Sequence, residues 1–492
     1  MSALVELAAD LRIALLRTGY HPDALLEVLG TDAHAALGRS EPVPARRAAR
    51  TAGEIGTLIR LFLLGDALPE DEVAAALHPV EIDRAVAAGL LERAGDRIRP
   101  GLALRPVDTG GGTRWIVSDL DDNVRRRALP ADHVLGVGHA SLSLLRATPT
   151  SPAGTVLDLG TGCGIQAVHA ASYGDKVTAT DVLPRAIMLA EATAAINELD
   201  IEFLTGSWFD PVADRRFDRI VANPPFVVGL GRVTHTYRDS GLALDGASRL
   251  VIERVPGLLA PGGFATLLAS WAHIEGEDWR SRVSSWLPDY GVQAWILQRD
   301  VADPALYVGT WQRDSGQDPR DEDTQRQAEE WLDTFAEANV EGIGFGFVYL
   351  RNIDGPTEVL AEDLFHEFSD ALGDEAVRHF DRTDWLRTAD LPASRFSVAA
   401  AAALERVYQA GDEGWEQLVA RIHRGDGPRW QHEIDDETAS LLAGMRADGL
   451  ALEELVALLA FASGDDEPTP ELMAAATDSV RALVLHGLID PA

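Results

Sequence analysis

The chain has 492 residues, of which 46% are apolar and 25% charged, and its formal net charge is −35. These values are typical of a globular chain of about three domains with a large core, and the negative charge opposes non-specific binding to nucleic acid. The single cysteine, Cys163, excludes an internal disulfide and a multi-cysteine metal site.

No run of about 18 uncharged apolar residues is present, so the sequence predicts no membrane-spanning helix and no membrane partner. The first residues, MSALVELAADLR, carry acidic side chains and no positive stretch, which is not the pattern of a signal peptide. We therefore expect a cytoplasmic protein. The sequence predicts no metal site, because its histidines and acidic residues lack ligand spacing, and it leaves the oligomeric state open.

Residues 1–107 are predicted to form a mainly helical N-terminal domain. The stretch LPEDEVAAAL places Pro69 at a first helical position with acidic residues in the first turn. EIDRAVAAGLLERAGDRIRP follows as a third helix, a glycine turn and a short strand-like end. That order indicates a winged helix, with a small helical bundle as the alternative. The third helix carries Glu81, Asp83 and Glu92, so it is a poor candidate for reading DNA.

Residues 108–354 are predicted to form an α/β domain with a Rossmann-like sheet. Short apolar runs alternate here with helical stretches, and the runs are TVLDLG, KVTATD, IEFLTG, FDRIVANP and FATLLASW. Alternation at this spacing predicts a parallel sheet with helices on both faces. Two later runs, VQAWILQRD and IGFGFVYLRN, stand on either side of a helix predicted around Thr324–Ala338.

Residues 355–492 are predicted to form a mainly helical C-terminal domain. Its helical stretches include the alanine-rich FSVAAAAALERVYQAG and a last helix that ends in HGLI. That ending is similar to AAGLL in the N-terminal domain. The likeness favours either a second winged-helix-like unit or a chance match between helices rich in alanine and leucine.

Three glycines, Gly160, Gly162 and Gly164, stand directly after the first buried strand of the α/β domain and before a helix. Glycines there permit a tight turn and let a ligand approach the backbone. Ile165 occupies the position of the third glycine in the dinucleotide fingerprint, and no Lys-Ser/Thr pair follows, so neither that fingerprint nor a P-loop is present. Asp181 ends the next strand, where a carboxylate can accept two ribose hydroxyls. Capping of the following helix is the alternative role for Asp181.

The stretch IVANPPFVVG ends a strand with Asn223, Pro224, Pro225 and Phe226. Prolines cannot donate to a strand ladder, so they end the strand and leave backbone carbonyls open to a substrate. The Asn223 side-chain oxygen and the Pro224 carbonyl can accept hydrogen bonds from the two N–H groups of a planar NH2 group. The Phe226 ring can stack on the plane of the group that carries this NH2. A plain proline turn is the alternative.

The glycine turn, Asp181 and Asn-Pro-Pro-Phe together resemble the class I S-adenosylmethionine-dependent methyltransferases over about residues 135–350. Asn-Pro-Pro-Phe is similar to the (Asp/Asn)-Pro-Pro-(Tyr/Phe) motif of amino-group methyltransferases, and TGSWFDPVADRRFDRIVANPPFVV is similar to the release-factor glutamine methyltransferases. The resemblance implies that S-adenosylmethionine is the cofactor and that the target is held by Asn223, Pro224, Pro225 and Phe226. It implies that the cofactor is bound by Asp158, Gly160, Thr161, Gly162, Cys163, Gly164, Asp181, Trp208 and Asn223.

Three departures from the family leave the acceptor open. Phe226 replaces a tyrosine of the glutamine methyltransferases and resembles the guanine-N2 rRNA methyltransferases of the small-domain type. A downstream Glu-Pro stretch is absent, and residues 355–492 have no counterpart. We therefore expect an N-methyltransferase with a macromolecular acceptor, either a protein glutamine or an adenine or guanine amine in RNA or DNA. The alternatives are a small-molecule N-methyltransferase and a non-catalytic protein that binds S-adenosylmethionine.

Several further residues have competing interpretations. Trp208 either packs on the adenine of the cofactor or is a core aromatic residue, and Cys163 is favoured as a small apolar filler of the turn over a nucleophile. His139 and His235 could assist proton loss, and Arg125–Arg127 could contact RNA phosphate, although each is also typical of an exposed loop. The stretch VLGVGHASLSLL is predicted to cover the methionine end of the cofactor.

Overall fold

A computed structural model describes residues 2–39, 41–121, 130–231, 241–314, 316–366, 368, 371–412 and 414–492. The chain forms two compact units, one of Met1–Leu145 with Thr150–Glu362 and the other of Arg146–Pro149 with Asp363–Ala492. In chain order the α-helices are α1 (Ala3–Thr18), α2 (Pro22–Gly38), α3 (Pro42–Ala49), α4 (Gly53–Leu58), α5 (Glu70–Leu77), α6 (Ile82–Ala87), α7 (His139–Ala147), α8 (Ile165–Ala170), α9 (Pro184–Ile196), α10 (Gly246–Arg254), α11 (Trp279–Ser284), α12 (Pro304–Asp314), α13 (Glu322–Glu337), α14 (Leu372–Thr388), α15 (Asp436–Gly444), α16 (Leu452–Ser463) and α17 (Pro470–Leu485).

The strands, also in chain order, are β1 (Leu68–Pro69), β2 (Leu91–Ala94), β3 (Arg97–Pro100), β4 (Ala103–Asp108), β5 (Thr113–Ser118), β6 (Ala153–Leu159), β7 (Gly174–Asp181), β8 (Glu202–Thr205), β9 (Phe217–Ala222), β10 (Gly229–Leu230), β11 (Ala243–Leu244), β12 (Leu259–Ile274), β13 (Tyr290–Ala302), β14 (Val340–Pro356), β15 (Glu358–Asp363), β16 (Phe396–Val398), β17 (Ala402–Gly411), β18 (Gly414–Arg424), β19 (Gln431–Glu433) and β20 (Ile489–Pro491).

The amino-terminal part of the first unit is helical and ends in a small sheet. α4, α5 and α6 are followed by β2 and β3, which pair antiparallel, and β1 pairs with the other side of β3. Leu7, Leu11 and Leu15 of α1 are buried at helical spacing and join an apolar core with the helices that follow. Three helices followed by a strand pair is the order that the sequence predicts for a winged helix.

The centre of the first unit is an eight-stranded sheet in the order β15-β13-β14-β12-β9-β6-β7-β8. β8, β7, β6, β9 and β12 run parallel, and α8, α9 and α10 lie in the connections between them. The chain adds β7 and β8 on one side of β6 and then β9 and β12 on the other, so the strand order reverses between β6 and β9. Ligands of open α/β sheets bind outside the carboxyl ends of the strands at such a reversal.

The other edge of the sheet is antiparallel and long. β14 runs antiparallel to both β12 and β13, and its register places Phe345 opposite Ser270. β12, β13 and β14 have 16, 13 and 17 residues, whereas β9 pairs with β12 only as far as Leu267. The carboxyl-terminal part of β12 and the paired parts of its partners therefore extend past the end of β9. They lie beside the crevice at the reversal of strand order between β6 and β9.

The parallel strands with their helical connections confirm the predicted Rossmann-like α/β fold class. β15 adds Glu358–Asp363 to the same sheet, past residue 354 where the sequence indicates the end of the α/β domain. β15 lies next to β13 in the sheet, and a local sequence pattern does not show which distant strand such a segment pairs with. Within the described ranges, no helix is both long enough and apolar enough to cross a membrane.

The second unit combines helices with a three-stranded antiparallel sheet, β17-β18-β19, in which most residues of β17 are exposed. α15, α16 and α17 surround a core that includes Leu452, Val456 and Val480, and β20 pairs with β16. The helical prediction for the alanine-rich stretch is wrong, because this stretch forms β16 and β17, and β17 pairs along its length with β18. The ladder to β18 thus overrides the helix propensity of the alanines.

Candidate active site

The three glycines form the turn that joins β6 to α8. The φ angles of Gly160, Gly162 and Gly164 are 76°, 55° and 87°, in the left-handed region that favours glycine. The N–H groups of Gly160 and Thr161 each donate to the Thr180 carbonyl of β7 at 2.9 Å. A Cβ added to Gly160 or Gly162 would meet no heavy atom within 4 Å. The turn therefore borders open space in which a ligand can lie close to the backbone.

Asp158 lies beneath the turn and holds its shape. The residue is 1% exposed, and its Oδ2 accepts hydrogen bonds from the Thr161 hydroxyl at 2.6 Å and the Ala167 N–H at 2.9 Å. Burial raises the pKa of Asp158 to about 7. Because Thr161 is in the turn and Ala167 is in α8, one carboxylate ties both parts of the connection. We propose that the Asp158 and Thr161 side chains act from behind the surface that a ligand contacts.

Asp181 ends β7 with its carboxylate against the glycine turn. Oδ2 accepts from the Gly162 N–H and Oδ1 from the Leu183 N–H, both at 2.9 Å, and burial raises the pKa of Asp181. Leu183 directly precedes α9, so the carboxylate organises the start of this helix as well as the turn. Asp181 is only partly buried, and each carboxylate oxygen has a second lone pair. It can therefore accept ribose hydroxyls while both backbone contacts remain.

Cys163 and Trp208 have more modest roles. Cys163 is 4% exposed, and burial raises the pKa of its thiol to about 12, which favours a neutral apolar filler over a nucleophile. Trp208 follows β8 with a φ of 45°, and its partly buried ring packs against a core that includes Phe209 and Val212. Trp208 is thus in part a core aromatic residue, and its contact with an adenine stays a prediction.

The donors and acceptors around the turn fit a nucleoside cofactor with a ribose diol. The turn supplies backbone groups beside open space, and Asp181 supplies a carboxylate suited to hydroxyls. Gly164 holds the turn against α9, because a Cβ there would lie 3.1 Å from the Ala190 Cβ. Among the residues that the structure describes, no three or more His, Cys, Asp or Glu side chains are grouped so as to hold a metal ion.

The Asn223–Phe226 segment leaves the sheet directly after β9. β9 ends at Ala222, and the register of β6 and β9 sets Ala222 beside Leu159 at the end of β6. The segment and the glycine turn therefore emerge from neighbouring strands at the same edge of the sheet. Pro224 is buried, and the other three residues of the segment are partly exposed. The strand ends before the two prolines, which have no N–H for a ladder.

Side chains from later elements hold the chain around Phe226. The Ser270 hydroxyl of β12 donates to the Phe226 carbonyl. The Val228 N–H donates to the Tyr307 hydroxyl of α12 at 2.8 Å, and the Val228 carbonyl accepts from Trp331 Nε1–H of α13 at 3.1 Å. These contacts take the place of the interrupted strand ladder and fix the position of Phe226.

Phe226 faces an aromatic and a cationic side chain of the antiparallel edge. The rings of Phe226 and Phe345 of β14 are 5.2 Å apart at an angle of 49°. The Arg299 guanidinium of β13 lies 4.7 Å from the Phe345 ring centre, and its Nη1–H donates to the Ser143 hydroxyl of α7 at 3.2 Å. Phe226, Phe345 and Arg299 form what we call the aromatic wall, which stands directly beside the Asn-Pro-Pro-Phe segment.

The sequence does not predict the five residues that contact Phe226, Val228 or Phe345, namely Ser270, Arg299, Tyr307, Trp331 and Phe345. They are far from Asn223 in the chain and belong to no motif. The register of β12 and β14 brings Ser270 and Phe345 together, and no local pattern sets that register. The GFGF of IGFGFVYLRN is the available signal, because glycine inside a strand marks a close approach. A Cβ on Gly344 would lie 2.4 Å from the Trp271 Nε1.

The remaining predicted residues are less closely tied to the crevice. His139 is exposed at the first position of α7, whereas His235 and Arg125–Arg127 lie outside the described residues. Within VLGVGHASLSLL, the Ser141 carbonyl accepts from Gln166 Nε2–H of α8 at 2.7 Å. This stretch therefore lies against the beginning of α8, next to the glycine turn, and its role as a cover stays a prediction.

Comparison with protein families identifies the class of this protein. The model of the methyltransferase small domain matches residues 135–254, which include the glycine turn, Asp181 and the Asn-Pro-Pro-Phe segment. Two domains of unknown function match the flanks, DUF7059 at residues 17–101 and DUF7782 at residues 377–491. The chain is an S-adenosylmethionine-dependent methyltransferase, which confirms the predicted enzyme class and cofactor.

The relatives define the family more narrowly. The release factor glutamine methyltransferase of Deinococcus radiodurans is 30% identical over 223 residues, which are 40% of this chain and 77% of that protein. Those of Geobacter sulfurreducens and Vibrio cholerae are 36% and 33% identical over 132 and 163 residues. These two matches cover 24% and 30% of this chain and about half of each relative, 46% and 54%. The chain belongs to the family of the release factor glutamine methyltransferases.

Two solved structures each match about half of the chain. A T. thermophilus 16S rRNA methyltransferase in complex with AdoMet and guanosine is 19% identical, covers 51% of this chain and 65% of that one, and has a TM-score of 0.28. A methyltransferase from Thiobacillus denitrificans in complex with S-adenosyl-L-homocysteine is 18% identical, covers 46% of this chain and 95% of that one, and has a TM-score of 0.24. With scores this low, the fold assignment rests on the observed strand order.

Proposed function

We propose that this protein transfers a methyl group from S-adenosylmethionine to the side-chain amide nitrogen of a glutamine in another protein. The observation that carries the proposal is the position of the Asn223–Phe226 segment beside the glycine turn, at the ends of the neighbouring strands β9 and β6. A methyl donor held on the turn and a planar NH2 group held on the segment would meet across the crevice at the strand-order reversal.

The segment can overcome the weak nucleophilicity of an amide, whose nitrogen lone pair is delocalised. The Asn223 side-chain oxygen and the Pro224 carbonyl can each accept a hydrogen bond from one N–H of the amide. Together they can hold the amide nitrogen about 3–3.5 Å from the methyl carbon. When bound, S-adenosylmethionine supplies an electrophilic methyl group on a sulfonium. As the nitrogen becomes tetrahedral and positive, both acceptors bind it more strongly, which stabilises the transition state selectively.

The proposed methyl transfer requires no strong general base. The nitrogen lone pair becomes the new N–C bond, and the sulfur keeps the electron pair of the broken C–S bond. The methylated nitrogen, now positive, loses one hydrogen as a proton to water, because a protonated amide is strongly acidic. Asn223 and Pro224 orient the amide throughout these bond changes, and stacking on Phe226 restricts the orientation of the amide plane.

A protein acceptor fits the chain better than a nucleic acid does. The net charge of −35 opposes contact with phosphate, and the named relatives in three bacteria are release factor glutamine methyltransferases. The intact pair of Asp181 and Asn223 argues against the non-catalytic alternative. An exocyclic amine of adenine or guanine is the second candidate, favoured by the Phe226–Phe345 pair, because aromatic side chains stack on extruded bases.

Label transfer separates the two acceptors. Purified protein and S-adenosylmethionine with a labelled methyl group are added to lysate of a strain that lacks this gene, and the product is treated with protease or with nuclease. We expect protease alone to release the label, and we expect the Asn223→Ala variant to incorporate far less. Release by nuclease alone would make a nucleobase the acceptor. Absence of incorporation by a protein that binds the cofactor would contradict the proposed transfer.

A further inference from the structure

Two strands of the second unit extend beyond the rest of their sheet. β19 pairs with β18 only along Arg421–His423, whereas β17 and β18 stay paired as far as Gly411 and Gly414. We call residues 406–419 the ribbon. Within the described part of the chain no further strand pairs with the ribbon, and its described residues are all exposed or half-buried. A two-stranded ribbon is at best marginally stable in water by itself, so a partner that covers one of its faces would stabilise it.

Tyr408 and Trp415 lie on the same face of the ribbon. The register sets Trp415 opposite Ala410 and Tyr408 opposite Gln417, and alternate residues of a strand point to the same side. Trp415 is 76% exposed and Tyr408 is 46% exposed. Leu418, which is 62% exposed, is the extra residue of a β-bulge. Large apolar side chains exposed together are typical of a protein interaction site, and Trp and Tyr are common anchors of such sites.

The tip of the ribbon is acidic. Residues 409–418 carry three carboxylates, those of Asp412, Glu413 and Glu416, and no basic side chain. Asp412 and Glu416 are exposed. The exposed ring of Trp415 therefore has exposed carboxylates on either side of it in the chain.

The arginines at the base of the ribbon already have acidic partners. Arg406 Nη2 lies 3.5 Å from Asp436 Oδ1 at the start of α15, and Arg421 Nε lies 3.4 Å from Glu405 Oε2 of β17. Both positive charges are thus matched by carboxylates near the base. The excess of negative charge is at the tip, where it favours a partner with a basic surface and disfavours a nucleic acid.

We propose that the ribbon binds a basic surface of the protein that carries the methyl-accepting glutamine. Carboxylates make charge-assisted hydrogen bonds to Lys and Arg, the face of the Trp415 ring attracts a cation, and Tyr408 adds apolar area on the same face. Contact at the ribbon holds the acceptor protein on the enzyme and takes no part in methyl transfer itself. The identity of this partner as the acceptor rests on the proposed transfer to glutamine.

Methyl transfer measured against acceptor concentration tests the proposal. Lysate of a strain that lacks this gene is treated with nuclease, and incorporation of labelled methyl is followed at increasing concentrations of lysate protein. We expect Trp415→Ala to raise the apparent KM for the acceptor about 10-fold or more, the usual loss for an anchoring tryptophan. The maximal rate and the affinity for S-adenosylhomocysteine should not change. The labelled protein should also bind to a cation exchanger, as a basic protein does.

The acidic side chains are tested through the dependence on salt. We expect Asp412→Asn combined with Glu416→Gln to raise the apparent KM clearly at low salt and little at high salt, because exposed charges are screened. Phe461→Ala and Asp466→Asn are matched controls in the same unit: Phe461 is 73% exposed on α16, and Asp466 is exposed shortly after that helix. Both should behave as the wild type does. Thermal unfolding of each variant checks that the fold is intact.

An unchanged apparent KM for Trp415→Ala, or labelled protein that a cation exchanger does not retain, would overturn docking at the ribbon and leave glutamine methylation standing. If no protein is labelled, the proposed function fails, and the ribbon is then tested by binding alone. The basic protein fraction of the lysate is passed over immobilised wild type, Trp415→Ala and Phe461→Ala. Loss of retention by Trp415→Ala alone would support docking of a basic protein, and equal retention by all three would overturn it.

Discussion

At the scale of single residues, the two acidic groups of the first two parallel strands do different work. Asp158 is buried and ties Thr161 to α8, whereas Asp181 is partly exposed and keeps acceptor capacity beside the turn. The sequence indicates both as cofactor residues, because the pattern shows only that each lies near a strand end. The difference in burial distinguishes their roles: Asp158 shapes the turn, whereas Asp181 can bind the ribose.

The raised pKa of Asp158 predicts that the stability of the protein depends on pH. Its pKa of about 7 in the folded protein lies above the ordinary value of 3.8, so between these values the folded state holds a proton that the unfolded state has lost. The free energy of unfolding therefore falls as pH rises through this window and levels off above it. Asp158→Asn keeps an oxygen for Thr161 and Ala167 and cannot titrate.

We expect the stability of Asp158→Asn relative to the wild type to rise between about pH 4 and pH 8. Urea denaturation at both pH values measures this difference. Asp200→Asn, which removes an exposed carboxylate beyond the carboxyl end of α9, is the control and should show little change. A constant difference between Asp158→Asn and the wild type would show that Asp158 does not have a raised pKa.

Asn223→Ala removes one of the two acceptors proposed for the target amide. We expect the rate of methyl transfer at saturating cofactor to fall about 10²-fold or more, by analogy with the loss of one oriented hydrogen-bond partner. The partly exposed position of Asn223 leaves the fold largely intact. Single-turnover kinetics with labelled cofactor measure the rate. An unchanged rate would remove Asn223 from the catalytic role.

Phe345→Ala removes the centre of the aromatic wall. Because the Phe345 ring packs against the Phe226 ring of the proposed acceptor site, we expect the KM for the acceptor to rise roughly 2- to 10-fold, the value of one aromatic pair. The affinity for S-adenosylhomocysteine should not change. Phe365→Ala, which removes a ring that is 81% exposed, is the control. If the KM for the acceptor stays constant, the wall is a structural contact only.

At the scale of elements, the turn between β6 and α8 depends on glycine at Gly164. Its φ of 87° disfavours any side chain, and a Cβ would lie 3.1 Å from the Ala190 Cβ of α9. We expect Gly164→Ala to lower the free energy of unfolding by about 1–2 kcal/mol or more. Gly257→Ala is the matched control, because a Cβ there meets nothing within 4 Å. Denaturation curves that coincide for the two variants would contradict this account of the turn.

The elements that the sequence predicts well are those with local signals. Alternating strands and helices, the glycines after β6 and the prolines after β9 all act within a few residues, and the structure places them as predicted. The pairing of β12, β13 and β14 is set by contacts between distant segments, so Phe345 and Arg299 could not be placed beside Phe226 from the sequence. The strands β16 and β17 show the same limit, since pairing with β18 overrides alanine-rich composition.

At the scale of the whole molecule, the methyltransferase small domain covers residues 135–254, and the flanks match domains of unknown function. The division at residues 107/108 and 354/355 stays a prediction, as does a winged-helix form for either flank. Motifs predict the reaction because methyl transfer needs particular groups at strand ends. The acceptor is not predicted in this way, because recognition of a macromolecule uses surfaces with no fixed spacing in the sequence.

The most direct test of the proposed reaction is to identify the atom that receives the methyl group. Protein from the label-transfer reaction is digested completely by proteases, and the labelled product is compared with N5-methylglutamine by chromatography and mass spectrometry. We predict that the label co-migrates with N5-methylglutamine and that Asn223→Ala yields little of it. Label on a methylated adenine or guanine, or on an oxygen, sulfur or carbon atom of a protein, would contradict the role given to the Asn-Pro-Pro-Phe segment as a holder of a glutamine amide.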